Sequence, residues 1–223
     1  DIFFKAQYAR DSGSKELLLT SQDNGAFGAD TGTSLENLLM ELSHLDGKFR
    51  LRVGMLNPML VAGRSHEMAK AWCDPRTYKF MHLPIQSGSQ KILDSMVRDH
   101  TLEEFWEVVN VFREHYPEMM IITDVITGFP GETDEDHQET ISLLEELLPD
   151  LVNVTRFSPR KGTPASRYKR INGRIVKKRS RELTALRKEL GARSFKRFVG
   201  RKTSILTVEN QKRGSTLCRD DNY

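Results

Sequence analysis

The sequence predicts an α/β fold built on a parallel sheet, open or closed into a βα barrel, and three observations predict it. Short apolar, β-branched runs recur along the first two thirds of the chain, amphipathic segments lie between them, and nearly every run ends in a polar, glycine-containing loop. Strands separated by helices need crossover connections, which is the pattern of a parallel sheet and not of a sandwich.

The elements can be justified in order. Leu17 to Thr20 reads as a first strand opening into 20-TSQDNGAFG-28, and Thr33 with Glu36 has the capping-box spacing of a helix running through Leu45. Phe49 to Met55 is expected as a second strand, followed by 55-MLNP-58, and Phe80 to Ile85 as a third, followed by 84-PIQSGS-89. Thr101 and Glu104 cap a helix in which Phe105, Val108, Val109 and Phe112 share a face. Met119 to Ile126 forms a fourth strand, broken at Gly128, Pro130 and Gly131, after which Thr133 and Asp136 start a helix carrying Ile141, Leu144 and Leu148. Leu151 to Phe157 is the fifth strand, with 156-RFSPRKGTPAS-166 after it. Arg174 to Val199 reads as a basic helix outside the repeat, and Thr203 to Glu209 restarts a strand pattern.

Five polar loops at successive strand ends describe one rim, and the carboxyl-end rim is where βα proteins hold ligands. Turn geometry alone explains Gly88 and Gly131 but not amides and carboxylates at nearly every strand end. None of the loops has Walker spacing, and no Ser-His-Asp or zinc-protease pattern is present. Cys73 and Cys218 stand far apart without partners at ligand spacing, so they are expected as ordinary buried or edge thiols.

Charge is asymmetric beneath a net +3: residues 156–213 hold 20 Lys and Arg against 3 Asp and Glu, whereas residues 1–155 hold 13 against 26. A basic half suggests a polyanion, and nucleic acid is the expected one. No apolar run approaches the roughly 20 residues needed to span a bilayer, and the first residues carry neither the basic flank nor the apolar core of a signal peptide, so a cytoplasmic protein without membrane partners is expected.

The succession 20-TSQDNGAFGADTGT-33, 52-RVGMLNP-58, 82-HLPIQSGS-89, 96-MVRDHT-101, 124-DVITGFPGET-133 and 153-NVTRFSPRKGTPAS-166 resembles the radical-SAM tRNA methylthiotransferases, and most of all their archaeal and eukaryotic branch, which acts on N6-threonylcarbamoyladenosine next to the anticodon. The resemblance implies a partial, TIM-like barrel over residues 1–170, a basic helical segment over 171–200 and the start of a small β-rich TRAM domain over 201–223. It implies S-adenosylmethionine and two [4Fe–4S] clusters as cofactors, tRNA as substrate and a reducing electron donor. Cluster-binding Cys-x3-Cys-x2-Cys spacing is absent, so the resemblance also implies a fragment, inactive alone, whose cluster ligands lie outside this chain.

By the same resemblance, Asp23 and Asn24 meet the methionyl end of the cofactor. Asn57, Gln86 and Ser87 bind ribose or carboxylate oxygens, the backbone and apolar side chains from Val125 and Ile126 on to Gly128 flank the adenine, with Gly128 and Gly131 giving close approach without a Cβ, and Asp124 is counted among the cofactor-binding residues. Arg98, Arg156 and Arg160 are candidates for phosphate or carboxylate contacts, and Lys177, Lys178 and Arg179 for tracking a tRNA backbone on a face too basic to be buried. The implied chemistry is radical insertion of a methylthio group at C2 of the modified adenosine. No general acid or base is required, and no catalytic side chain and no metal ligand is assigned. Alternatives are a non-catalytic RNA-binding protein, a phosphate-binding barrel of the aldolase kind, and a methylthiotransferase acting on another modified adenosine or on a ribosomal protein.

Overall fold

The computed structural model describes residues 2–210 and 214–223. Arg213, the last residue of the basic segment, lies outside the described residues. The chain forms two compact units, one made of Asp1–His82, Glu107–Met120 and Gly200–Tyr223, the other of Leu83–Trp106 and Ile121–Val199.

In the first unit, helix α1 (Ile2–Asp11) leads into strand β1 (Glu16–Leu19), which pairs in parallel with β2 (Arg50–Val53) from Glu16 opposite Arg50 to Leu19 opposite Val53. Beyond the ladder, Gly54 N–H donates to Leu19 O at 2.9 Å and Leu56 N–H to His82 O at 2.9 Å, which brings in β3 (Phe80–His82). Helix α2 (Leu35–Ser43) buries Leu35, Leu38, Leu39 and Leu42 on one face. Its cap is Ser34, whose hydroxyl accepts Asn37 N–H, and not Thr33 as the spacing suggested: Thr33 N–H is spent on Gly28 O in the preceding turn. Two short helices escaped the sequence reading, α3 (Pro58–Val61) and α4 (Ser65–Ala71). After α4 comes Trp72, fully buried, whose ring meets Phe112 edge-on with centroids 5.4 Å apart.

The second unit contains α5 (Gln90–Ser95), which also escaped, and the start of α6 (Leu102–His115), whose remainder belongs to the first. The reciprocal Thr101–Glu104 cap at the head of α6 is present as expected. Strand β4 (Met120–Thr127) alternates buried and half-buried residues and pairs in parallel with β5 (Leu151–Arg156), Ile122 opposite Leu151 through Thr127 opposite Arg156. On its other edge Gln86 N–H donates to Asp124 O at 2.8 Å and Ile126 N–H to Gln86 O at 2.9 Å. Between β4 and β5 runs α7 (Asp134–Leu147), which begins with the full Thr133–Asp136 capping box. The long helix α8 (Gly173–Phe195) lays Arg179, Leu183, Leu190 and Ser194 along one buried stripe and leaves Arg174, Lys177, Lys178, Arg181, Arg187 and Lys188 exposed.

The five strands named from sequence before the basic helix thus exist, each shorter by one to three residues or shifted by one, with parallel pairing of β1 with β2 in the first unit and of β4 with β5 in the second. After α8, strands β6 (Leu206–Asn210) and β7 (Thr216–Arg219) form an antiparallel hairpin in the first unit, tied to β1 by Arg219 and Glu16 at 2.7 Å.

Candidate functional site

The rim residues of the first unit converge. Asp23 accepts Gly25 N–H at 2.9 Å and Asn57 N–H at 3.3 Å, joining the loops after β1 and β2, and burial pushes its carboxyl up against those two hydrogen bonds. Asn24 is buried, with its side-chain amide and its backbone N–H both donating to Met55 O. Asn57 caps α3 through Met59 N–H at 3.2 Å. These three residues assemble the loop pair, and Asp23 and Asn24 also line a cleft of about 870 Å³ between α1, β1 and the first loop. Much of their hydrogen-bonding capacity is committed to backbone, so the loops, more than free side chains, shape this half.

The second unit sorts its predicted residues differently. Gln86 has φ 73°, uncommon for a non-glycine residue, and its side-chain amide makes no hydrogen bond among the described residues, which leaves it available to a ligand. Ser87 does not meet the expectation of a ligand contact: it is buried, lies 3.4 Å from the Thr140 hydroxyl and accepts Ser89 N–H at 3.2 Å. Val125 likewise points away from the half-buried face of β4 that Asp124 and Ile126 share, and is 1% exposed. The period of two along a strand puts neighbouring side chains on opposite faces, so of the expected apolar side chains Ile126 shares the half-buried face with Asp124 and Val125 does not. Asp124 accepts the Asn153 amide at 2.7 Å.

Gly128 also needs correction. Its φ is +80°, but the space a Cβ would take is filled by Val176 of α8, 2.6 Å away, so the glycine admits a helix and not a ligand. Its N–H donates to Glu132 Oε2 at 2.8 Å. That same carboxylate oxygen meets Arg179 Nη1 at 2.7 Å, and Arg179 Nη2 meets Asp134 at 2.8 Å. Arg179 is therefore buried and internally paired, contrary to the expectation of a wholly solvent-facing basic run; a buried charge needs such partners. Lys177 and Lys178 are exposed as expected.

Ile126, Arg98, Arg156 and Arg160 do come together, around a pocket of about 620 Å³. Sequence reasoning missed its aromatic walls, Phe129, Phe157 and Tyr168, because it weighed only the polar residues of those loops. Phe129 packs edge-on to Phe157 at 4.9 Å and to Tyr168 at 6.5 Å. The pocket lining contains no Asp or Glu, and among the described residues the three arginines form no ion pair. Val97, also in the lining, is 74% exposed at φ 56°. It occupies the left-handed position of a Schellman turn that ends α5, with Val97 N–H on Asp94 O and Arg98 N–H on Leu93 O, both at 3.0 Å. That position ordinarily takes glycine, and a β-branched residue there is strained.

No group of three His, Cys, Asp or Glu residues able to hold a metal stands among the described residues; Cys73 is exposed after α4, more open than expected, and Cys218 is half-buried on β7. A [4Fe–4S] cluster takes cysteine thiolates, so the residues present do not fit one.

A parallel βα architecture with its polar residues gathered at strand ends defines a barrel-type enzyme scaffold, and the radical SAM superfamily model matches residues 4–144: the chain belongs to that superfamily. S-adenosylmethionine and iron–sulfur chemistry are implied by that membership. Within it, the chain is similar to the probable threonylcarbamoyladenosine tRNA methylthiotransferase of Archaeoglobus fulgidus, 44% identical over 223 residues, all of this chain and 53% of that one. It is 37% identical over 211 residues to the threonylcarbamoyladenosine tRNA methylthiotransferase of Homo sapiens, covering 94% of this chain and 36% of the relative. Among solved structures, coproporphyrinogen III oxidase of Escherichia coli, a radical SAM enzyme, superposes with a TM-score of 0.60 at 16% identity over 86% of this chain and 46% of its own, which shows the fold alone. The chain thus spans about half the length of the archaeal relative it matches. No helix among the described residues is long and apolar enough to cross a membrane.

Proposed function

We propose that this chain is part of a tRNA methylthiotransferase that replaces hydrogen by a methylthio group at C2 of N6-threonylcarbamoyladenosine beside the anticodon. The observation that carries the reading is the extent of the likeness. The superfamily model ends at residue 144, whereas the similarity to the Archaeoglobus relative continues through α8 and the β6–β7 hairpin to residue 223. The basic helix and the hairpin, read as the start of a TRAM-like RNA-binding domain, therefore belong to what is shared.

In this reading the protein works in the cytoplasm, and two [4Fe–4S] clusters would be held by thiolates that Cys73 and Cys218 do not supply; with a reducing electron donor they would supply redox and sulfur chemistry from outside these residues. This chain's own part is binding and placement. The loops joined by Asp23 and Asn57 hold S-adenosylmethionine; the exposed cations of α8 bear on tRNA phosphates; and the Arg98–Arg156–Arg160 pocket receives the base. The test is expression of the full-length protein in a host whose tRNA carries N6-threonylcarbamoyladenosine without the methylthio group, followed by digestion to nucleosides and mass spectrometry. The expected product is the same nucleoside with one hydrogen replaced by a methylthio group. Modification of a different adenosine, of a ribosomal protein, or of nothing would overturn the reading.

A further inference from the structure

We infer that the pocket in the second unit binds a purine carrying a carboxylate, with Arg98, Arg156 and Arg160 reading the carboxylate that the threonylcarbamoyl group adds to adenosine. The inference rests on the function proposed above and assigns one part of the substrate to one set of residues.

The pocket's chemistry selects this ligand. Tyr168 and the half-buried Phe157, backed by the buried Phe129, offer aromatic surface on which bases stack without regard to sequence. Three guanidiniums in the same lining have no carboxylate beside them, and a cluster of like charges without a counter-ion is stable only where water or an anionic ligand supplies one. Val97, held at its positive φ by the turn that ends α5, adds an exposed apolar wall next to Arg98. A bare adenine would satisfy the aromatic walls and leave the arginines unused. A backbone phosphate would use the arginines but has no need of a cavity of about 620 Å³ lined by aromatic rings. Threonine joined through a carbonyl to the exocyclic nitrogen of adenine satisfies both, since its α-carboxylate is ionised at neutral pH and lies a few bonds from the ring. Guanidinium pairs with carboxylates bidentately, so the contact discriminates by geometry as well as charge.

The test uses the full-length protein and three anticodon stem-loops that differ at a single purine: adenosine, N6-threonylcarbamoyladenosine, and its α-carboxamide. A charge-assisted contact predicts that the carboxylate RNA binds roughly 10- to 100-fold more tightly than the other two. Arg98→Gln, and Arg156→Gln with Arg160→Gln, should remove that preference by weakening the carboxylate RNA far more than the other two; the three side chains are exposed and unpaired, so folding is not at stake. Equal binding of the three RNAs, or equal weakening of all three by the arginine variants, would mean that the arginines read phosphate and would overturn the inference. Loss of the preference under saturating S-adenosylmethionine would assign the pocket to the cofactor's carboxylate and overturn it too. A methylthio product on threonylcarbamoyladenosine without the binding preference would defeat this inference and leave the proposed function standing.

Discussion

Arg179 on α8 and Glu132 in the loop after β4 meet at 2.7 Å with side chains 5% and 3% exposed, and Glu132 is at the same time the acceptor for Gly128 N–H. The most basic helix of the protein is thus bolted by one of its arginines to the loop that closes the fourth strand. Removing one member of a buried pair strands the other.

Arg179→Ala should therefore destabilise the protein by about 3–5 kcal/mol, as broken buried pairs do, against a few tenths for Lys178→Ala, whose exposed pairing to Glu182 spans 3.7 Å. Replacing Arg179 and Glu132 together by apolar residues should not restore stability, because the Gly128 N–H loses its acceptor. Chemical denaturation of the three variants decides; full recovery in the double variant would show that Glu132 matters only as a counter-ion.

Asp136 gives a pH dependence with a definite sign. Its carboxylate accepts from Ser89 at 2.7 Å, Thr133 N–H at 2.8 Å and Lys91 at 2.5 Å, and although burial works against the charge these partners bring its pKa down to about 2. A depressed folded-state value stabilises the protein above the unfolded pKa of a carboxyl, and the contribution, about 2 kcal/mol, is lost as pH falls from about 5 to 2. Urea midpoints measured across that window should fall less steeply in Asp136→Asn, which starts lower; parallel curves would show that other carboxylates govern the acid limb.

Gly128→Ala should cost stability twice over, once for φ +80° and once for the Val176 methyls 2.6 and 2.7 Å from the new Cβ. The steric share, about 1–3 kcal/mol for an overpacked site, should be relieved in Gly128→Ala with Val176→Ala, leaving the backbone share of about 1 kcal/mol. Additive losses in that double-mutant cycle would mean that the loop and α8 do not touch as described.

If α8 carries tRNA phosphates, Lys177→Gln with Lys178→Gln should weaken binding of modified and unmodified RNA alike and reduce the slope of log affinity against log salt by up to about two. Arg179 is left intact in this variant because its loss would confound binding with folding. An unchanged slope in a filter-binding titration would reduce the exposed face of α8 to a solvated surface.

The sequence made the strands legible because period-two burial survives in residues such as Ile121, Thr123 and Val125, and it made two helix starts legible through Thr101 and Thr133. The first helix start was missed by one residue, since Thr33 and Ser34 can both cap and only the turn at Gly28 decides between them. Helix α3 hid in four residues, although Asn57 followed by Pro58 is a cap and first-turn signature. Arg179 could have been read: it stands four residues before Leu183 and eleven before Leu190, on the stripe that packs. Which rim residues are spent on backbone, as Ser87 and Asn24 are, depends on contacts across loops and left no local signal.

Helix α8 is held near both ends by buried carboxylates, Glu132 at Arg179 and, fifteen residues on, Asp150, which accepts the Ser194 hydroxyl at 2.6 Å and lies 2.7 Å from Arg197. At 1.5 Å per residue those anchors stand roughly 22 Å apart, and the exposed cations between them keep a fixed pitch. A polyanion laid along this face meets a ruler and not a tether. Ordering a flexible basic segment would consume about 1–2 kcal/mol of backbone entropy per residue at the moment of binding, and here folding has already met that cost, so only side-chain freedom is left to lose.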